Sequence, residues 1–119
     1  MTDVSVNAGS QSILQGMPQL TLPSFGMIAD LRELITKQVI PLLEGLDPTP
    51  LTLENVKSLP SGLQGVYLLT YRGEDVFLGV ADQSRDMRKR LLRDYHEVQH
   101  RYGVDPTAVG FRAVQWVIE

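Results

Sequence analysis

The sequence predicts an α+β fold: a small three-stranded antiparallel sheet with flanking helices, preceded by an N-terminal amphipathic helix. Apolar residues recur at helical spacing between positions 27 and 43 and again between 87 and 102. Two other segments, 65–80 and 110–119, alternate with a period of two, which is typical of strands. A chain of 119 residues that is 43% hydrophobic is long enough for one compact domain.

The first segment, residues 1–24, is rich in Ser, Gln, Gly, Pro and Thr and has one charged side chain, Asp3. Because it shows no sustained periodicity, we expect a flexible arm. It has neither the basic nor the apolar region of a secretion signal, and no later stretch approaches the roughly 20 apolar residues that span a bilayer. We therefore expect a cytoplasmic protein that does not associate with a membrane.

Residues 25–57 are predicted to form the N-terminal helix and a connector. The apolar face of this helix follows the three- and four-residue spacing through Met27, Ile28, Leu31, Leu34, Ile35, Val39, Leu42 and Leu43. Pro41 removes a backbone donor from its last turn, and Gly45 marks its end. The connector is expected to contain at most a short helix near residues 53–57.

Residues 58–119 are predicted to form the main domain. A strand that begins at Gly65 turns back as a second strand ending at Val80, and the two pair as an antiparallel hairpin. Asp82 or Ser84 can then cap a helix. Its apolar stripe consists of Met87, Leu91, Tyr95, Val98 and Tyr102. The last run, GFRAVQWVIE, alternates as the third strand of the sheet.

The composition narrows the possible kinds of site. The absence of cysteine excludes disulfides and thiolate metal sites.

The net charge is -3, but residues 85–101 hold six basic and three acidic side chains, a local charge of +3. Because local fields steer a polyanion, this segment is the candidate nucleic-acid-binding region. In helical projection its outward face carries four candidate phosphate-binding side chains, Lys89, Arg93, His96 and His100. A solvated helix face is the ordinary alternative.

Two glycine-bearing triplets lie on either side of the hairpin turn: GVY at 65–67 and FLG at 77–79. A basic helix containing the sequence RKRL and a third strand follow them. In this order they resemble the catalytic domain of the GIY-YIG nuclease superfamily, in its restriction-endonuclease-like branch. The resemblance covers roughly residues 58–119. It implies an endonuclease, a hydrolase that cuts DNA phosphodiesters with Mg²⁺ or Mn²⁺.

The resemblance also implies roles for particular residues. Tyr67 and Arg90 take the places of the catalytic tyrosine and arginine. The motif residues are Gly65, Phe77 and Gly79. Each has an ordinary alternative, since strand tyrosines usually pack their rings and glycines often end strands. In helical projection Arg90 lies at the flank of the apolar stripe, from which it can reach a cleft.

The chain departs from the family pattern at its metal site. The family's metal-binding glutamate lies on a helix after the third strand, whereas this sequence ends at Glu119. The metal ligand is therefore unknown, and the domain is expected to be shortened or completed by a partner. Asp30 and Glu119 are candidate ligands, with surface carboxylates as the ordinary alternative. Phe77 also replaces the usual tyrosine of the second triplet and lacks its hydroxyl.

Three interpretations stay open at this point. The first is an active endonuclease, and the second is the same fold without catalysis, serving as a nucleic-acid-binding or protein-interaction module. The third is an unrelated small α+β domain. Because the family's last helix is missing, the N-terminal helix is expected to cover the sheet, or a second copy to share Trp116 and Ile118 in a homodimer.

Overall fold

The computed structural model describes residues 5–8, 17–22, 33 and 35–118, and its α+β architecture confirms the predicted class. The strands are β1 (Ser5–Ala8), β2 (Pro18–Leu22), β3 (Thr49–Pro50), β4 (Gly65–Tyr71), β5 (Glu74–Ala81) and β6 (Val109–Ile118). The helices are a π-helical turn (Ile35–Val39) that continues into α1 (Ile40–Glu44), then α2 (Leu53–Lys57), α3 (Met87–His100) and a 3₁₀ turn (Pro106–Ala108).

The sheet is mixed and larger than predicted. Its main path has the order β1-β2-β6-β4-β5, with β2 parallel to β6 and the other neighbours antiparallel, and β3 also pairs with β6. Only β6, β4 and β5 form the three-stranded antiparallel arrangement that we expected. The additional β1 and β2 come from residues 1–24, the predicted flexible arm. Leu20 of β2 is fully buried, and the burial of such apolar surface favours the docking of this segment.

The hairpin turn places β4 at the centre of the antiparallel part. Arg72 and Gly73 have φ angles of 53° and 85°, the conformation of the two-residue turns that match the twist of paired strands. In the resulting register Tyr67 of β4 lies opposite Gly79 of β5 and Ala113 of β6. Tyr67 therefore lies on a central strand, with β5 on one side and β6 on the other, and not at the margin of the sheet.

Alternate residues of the central strands build two separate apolar clusters. One face, which we call the α3 face, carries Tyr67, Leu69, Phe111 and Ala113, packed against side chains of α2 and α3. The opposite face, which we call the α1 face, carries Leu20, Val66, Leu68 and Val114, packed against Ile35, Val39 and Leu43. Trp116 packs against this second cluster. The α1 face is therefore not the uncovered surface that led us to expect a homodimer.

The continuous described part of the N-terminal helical segment, from residue 35, begins as a π-helical turn. Of the predicted helix 25–43, only residue 33 and residues 35–43 are described, and they continue helically to Glu44. The π turn ends at Val39, two residues before Pro41. Pro41 has no backbone N–H to donate, and its ring would clash with a regular α-helical turn before it. Across the described ranges of the chain, no helix is long and apolar enough to cross a membrane.

Helix α3 begins at a different cap from the one predicted. Its N-cap is Asp86, whose side chain accepts hydrogen bonds from the backbone N–H of Lys89 (2.9 Å) and of Gly62 (2.8 Å). Asp82 instead closes the preceding turn by accepting from the backbone N–H and hydroxyl of Ser84. Asp86 therefore fixes both the start of α3 and its position against the loop before β4.

Candidate functional site

A groove of about 900 Å³ opens on the α3 face between α3 and the β4–β5 hairpin. One wall is basic and is formed by Arg85, Lys89, Arg90, Arg93 and Arg101. The other wall is largely apolar and is formed by Leu69, Tyr71, Val76 and Phe77. Asp94 and Glu97 also line the groove. Its volume is that of a site for a small ligand or for part of a larger one.

Tyr67, Arg90 and Asp94 meet at the floor of this groove. The Tyr67 hydroxyl donates a hydrogen bond of 2.8 Å to Oδ2 of Asp94. Nε of Arg90 donates to the same hydroxyl over 3.4 Å, and the guanidinium carbon lies 6.0 Å from the centre of the tyrosine ring. Tyr67 itself is fully buried. The structure thus brings the two predicted catalytic residues together and adds a carboxylate to them.

The surroundings of Tyr67 keep its hydroxyl protonated. Burial raises the pKa of Tyr67 to about 12, the hydrogen bond from Arg90 opposes this rise, and the bond to Asp94 adds to it. At neutral pH Tyr67 is therefore a neutral hydrogen-bond donor. In this state it can orient a neighbouring group but does not act as a strong base.

Asp94 is the group in the site that can accept a proton. Burial raises the pKa of its carboxyl, and the hydrogen bond from Tyr67 opposes the rise. The nearby charge of Glu97 raises the pKa further, whereas the charges of Arg90 and Arg93 lower it. A partly desolvated carboxylate next to a second carboxylate gains from any cation or proton that approaches it.

Gly79 makes room for the tyrosine ring. A Cβ atom at this position would lie 2.3 Å from Cζ and 2.5 Å from the hydroxyl oxygen of Tyr67. Tyr67 and Gly79 are opposite each other in the register, and the ring occupies the space that a side chain at position 79 would need. The glycine of the second triplet therefore has a direct role in placing the tyrosine of the first.

Gly65 has a different role, in sheet packing. A Cβ atom there would lie 2.0 Å from the carbonyl oxygen of Val114 and 2.8 Å from Cα of Gln115, both in β6. Its substitution would push two backbones apart, since neither neighbour is the flexible end of a side chain. The first glycine of the motif thus sets the spacing of β4 and β6 and does not contact the groove floor.

Phe77 forms an exposed aromatic surface on the groove wall. Its side chain is 47% exposed, and its ring centre lies 6.3 Å from that of Tyr67 with a tilt of 49°. Without a hydroxyl it cannot extend the hydrogen bonds of the floor. What it presents instead is an aromatic face that is open to a ligand.

The four predicted phosphate-binding side chains divide into two pairs. Lys89 and Arg93 line the groove, and Arg93 also forms an exposed salt bridge of 3.1 Å with Glu97. His96 and His100 are exposed, and within the described part of the chain they lie away from the groove lining. Only the first pair therefore shares a surface with Tyr67 and Arg90.

Asp94 is a site residue that could not be identified from the sequence. In the projection used for Arg90, it falls between that arginine and the apolar stripe, one helical turn further along. An acidic residue next to an apolar stripe is the available signal, because such a side chain must find a partner in the core. Nothing in the sequence identified that partner as Tyr67.

The described residues offer a pair of carboxylates rather than a complete metal cage. Among them no three His, Cys, Asp or Glu side chains come together as a metal-binding group. Asp94 and Glu97 both line the groove, however, and Mg²⁺ is commonly held by one or two carboxylates together with water and phosphate oxygens. This donor set fits such an ion. Asp30 and Glu119, the ligands suggested from the sequence, lie outside the described residues.

Comparisons with protein-family models, with curated proteins and with solved structures found no match to this chain. The similarity to the GIY-YIG superfamily therefore depends on the triplets, the arginine and their order along the chain.

Proposed function

We propose that this chain is a GIY-YIG-type endonuclease domain, which binds a DNA phosphodiester in the groove and hydrolyses it with Mg²⁺ or Mn²⁺. The observation that carries the proposal is the contact of Tyr67, Arg90 and Asp94 beneath a basic wall. Together they supply an orienting hydroxyl, a cation for the phosphate and a proton acceptor, which are the groups that phosphodiester hydrolysis needs.

Arg90 is the proposed phosphate-binding residue. A guanidinium binds phosphate oxygens strongly and offsets the negative charge that develops on them during hydrolysis. Its bond to the Tyr67 hydroxyl is long, at 3.4 Å, so a phosphate oxygen can compete for it. A phosphate that draws Arg90 outward also uncovers the buried Tyr67 hydroxyl.

Tyr67 and Asp94 are proposed to orient the attacking water. Once Arg90 has moved, the hydroxyl oxygen of Tyr67 is free to accept a hydrogen bond from that water. Its own proton stays directed at Oδ2 of Asp94 through the 2.8 Å bond, which fixes the direction of the hydroxyl. Since the pKa of Tyr67 is about 12, its hydroxyl is already protonated at neutral pH, and the proton released by the water passes to the Asp94 carboxylate instead.

Asp94 and Glu97 are the residues that would hold the divalent ion. When bound, the ion supplies Lewis-acid stabilisation of the charge that develops on the phosphate. The raised pKa of Asp94, due to burial and to the charge of Glu97, supports this assignment because a cation relieves both effects.

A specific observation favours the second candidate function, a catalytically inactive nucleic-acid-binding module. Tyr67 has no exposed surface, and Phe77 carries no hydroxyl. A module that only binds phosphates needs the basic wall but not access to the groove floor. Both candidate functions therefore predict binding of nucleic acid, but only the endonuclease predicts its cleavage.

The test is nicking of supercoiled plasmid by the purified chain in Mg²⁺ or Mn²⁺. We expect metal-dependent nicking that falls by about a hundredfold in Arg90→Ala and in Tyr67→Phe, because each removes a group that acts in the transition state. Asp94→Asn should also lose activity and require more metal for what remains.

Two matched variants serve as controls for this test. Tyr71 lies on the same strand and lines the same groove, but its hydroxyl accepts from the backbone N–H of Asp105, so Tyr71→Phe should nick normally. Arg88→Ala removes a helix cation that is not part of the described groove lining. Plasmid binding without any nicking would favour the inactive module, and the absence of both would contradict both candidates.

A further inference from the structure

The two walls of the groove differ in chemistry, and this difference points to a particular kind of nucleic acid. The basic wall provides five cations, whereas the apolar wall on the hairpin provides exposed surface from Val76 and Phe77. Val76 is 59% exposed and Phe77 is 47% exposed. An aromatic face opposite a row of cations matches a strand that presents bases to one side and phosphates to the other.

A β-bulge is responsible for the apolar wall. The register of β4 and β5 shifts between Leu69 and Thr70, so Val76 falls between the pairs Leu69–Phe77 and Thr70–Asp75. Successive residues of a regular strand point to opposite faces, but here Val76 and Phe77 both line the groove. Bulges commonly redirect side chains next to functional sites. This bulge adds Val76 to the apolar surface that faces the basic wall.

The depth of the groove separates unpaired strands from duplexes. Tyr67 at the floor has no exposed surface, so a phosphate must enter the groove to reach Arg90 and the hydroxyl beneath it. In a duplex the bases are stacked on one another and are not free to stack on a side chain. An unpaired strand is narrow, and its bases can leave their own stack.

We infer that the groove takes an unpaired polynucleotide strand, with a base stacked on Phe77 and the adjoining phosphates bound by Arg90, Lys89 and Arg93. This inference depends on the proposed function, since it specifies the substrate of the same site. Stacking of one base on an aromatic side chain typically strengthens binding by about fivefold to a hundredfold.

The experiment measures fluorescence anisotropy with oligothymidylate, oligouridylate and a DNA duplex of equal length. We expect the single strands to bind several-fold more tightly than the duplex. Phosphate contacts alone favour the opposite order, because a duplex has the higher charge density. Tighter binding of oligothymidylate would identify DNA as the source of the strand and tighter binding of oligouridylate would identify RNA, and both outcomes support the inference.

Variants on one strand test the role of the aromatic face. Phe77→Ala should weaken single-strand binding about tenfold and leave duplex binding unchanged. Phe77→Trp, which keeps a stacking surface, should retain the affinity. Leu78→Ala is the matched control, because Leu78 is the next residue, is partly exposed and is absent from the described groove lining.

The contrary outcomes can be distinguished. A duplex preference that is unchanged by Phe77→Ala would overturn the inference while leaving the proposed function intact, since phosphate binding would then suffice. No binding of any of the three probes would overturn both.

Discussion

The two faces of the sheet are built from alternate residues of the same strands, yet one is closed and the other forms a groove. On the α1 face, Val66, Leu68 and Val114 pack against apolar side chains of the N-terminal helical segment. On the α3 face, Tyr67 brings a hydroxyl into contact with Arg90 and Asp94. The faces differ because the N-terminal helical segment presents aliphatic side chains to the sheet, whereas α3 also presents the charged side chains of Arg90 and Asp94.

The register of β4 determines which of its side chains enter the groove and which pack in the apolar cluster of the α1 face. A shift by one residue would place Val66 beneath α3 and bury Tyr67 among the aliphatic side chains of α1. Gly79 prevents any side chain of β5 from taking the space of the Tyr67 ring. The site therefore depends on a register that packing on both faces enforces.

The largest expected effect comes from opening the α1 face. Leu43 is fully buried there, so Leu43→Ala should lower the free energy of unfolding by about 2–5 kcal/mol. Binding of nucleic acid to the groove should be unchanged under conditions where the variant remains folded. Denaturant unfolding followed by circular dichroism, together with anisotropy, measures the two quantities.

The neighbouring exposed residue provides the control for this first prediction. Glu44→Ala, in the last turn of α1, should change stability by no more than about 0.5 kcal/mol. A Leu43→Ala variant as stable as the native chain would show that the helical segment does not seal this face.

The second effect concerns pH and belongs to the α3 face. Burial raises the pKa of Tyr67 from 10.0 to about 12, so the folded state favours the protonated form. The corresponding stability is fully present below pH 10 and is lost as the pH rises towards 12, a difference of roughly 2–3 kcal/mol. The free energy of unfolding of the native chain should therefore decrease as the pH is raised from 10 to 12.

Two tyrosine variants identify the source of this fall. In Tyr67→Phe the free energy of unfolding should decrease less between pH 10 and 12 than in the native chain, by roughly 2–3 kcal/mol. Tyr71→Phe should show the same decrease as the native chain. Equal pH profiles for the two variants would argue against a buried, protonated Tyr67 in the folded protein.

The smallest effect distinguishes the two sides of α3. Arg93 lines the groove, whereas His96 is exposed outside the described lining. Arg93→Ala should weaken binding and reduce the slope of log K against log salt by about 0.7 for a single strand, because one phosphate contact is lost. His96→Ala should change neither quantity, because His96 is not part of the described groove lining. Equal slopes for the two variants would mean that the ligand lies elsewhere on the helix.

Local features of the fold could be predicted from the sequence because they depend on neighbouring residues. The period-two runs and the turn at Arg72 and Gly73 specified the hairpin, and helical spacing specified α3. The short helix expected near 53–57 is α2, with Thr52 as its cap. These elements follow from backbone conformation and from apolar periodicity within a few residues.

The pairing of β2 could not be predicted in this way. Gln19 lies opposite Gln115 in a parallel pair, a contact between distant parts of the chain. The polar composition of residues 1–24 suggested a flexible arm, and only the docking of Leu20 beside Trp116 reveals why part of it is a strand. A strand of this kind is stabilised by its tertiary neighbours more than by its own sequence.

The sequence by itself determined the α+β class, the hairpin and the residue types of the site, because these depend on local periodicity and on the chemistry of Tyr67 and Arg90. Only the tertiary structure decided that Asp94 holds the tyrosine hydroxyl, that Gly79 lies beneath its ring, and that Lys89 and Arg93 face the groove while His96 does not. The physical reason is that such contacts join separate elements. Their geometry depends on the angle at which α3 packs on the sheet, and no local pattern encodes that angle.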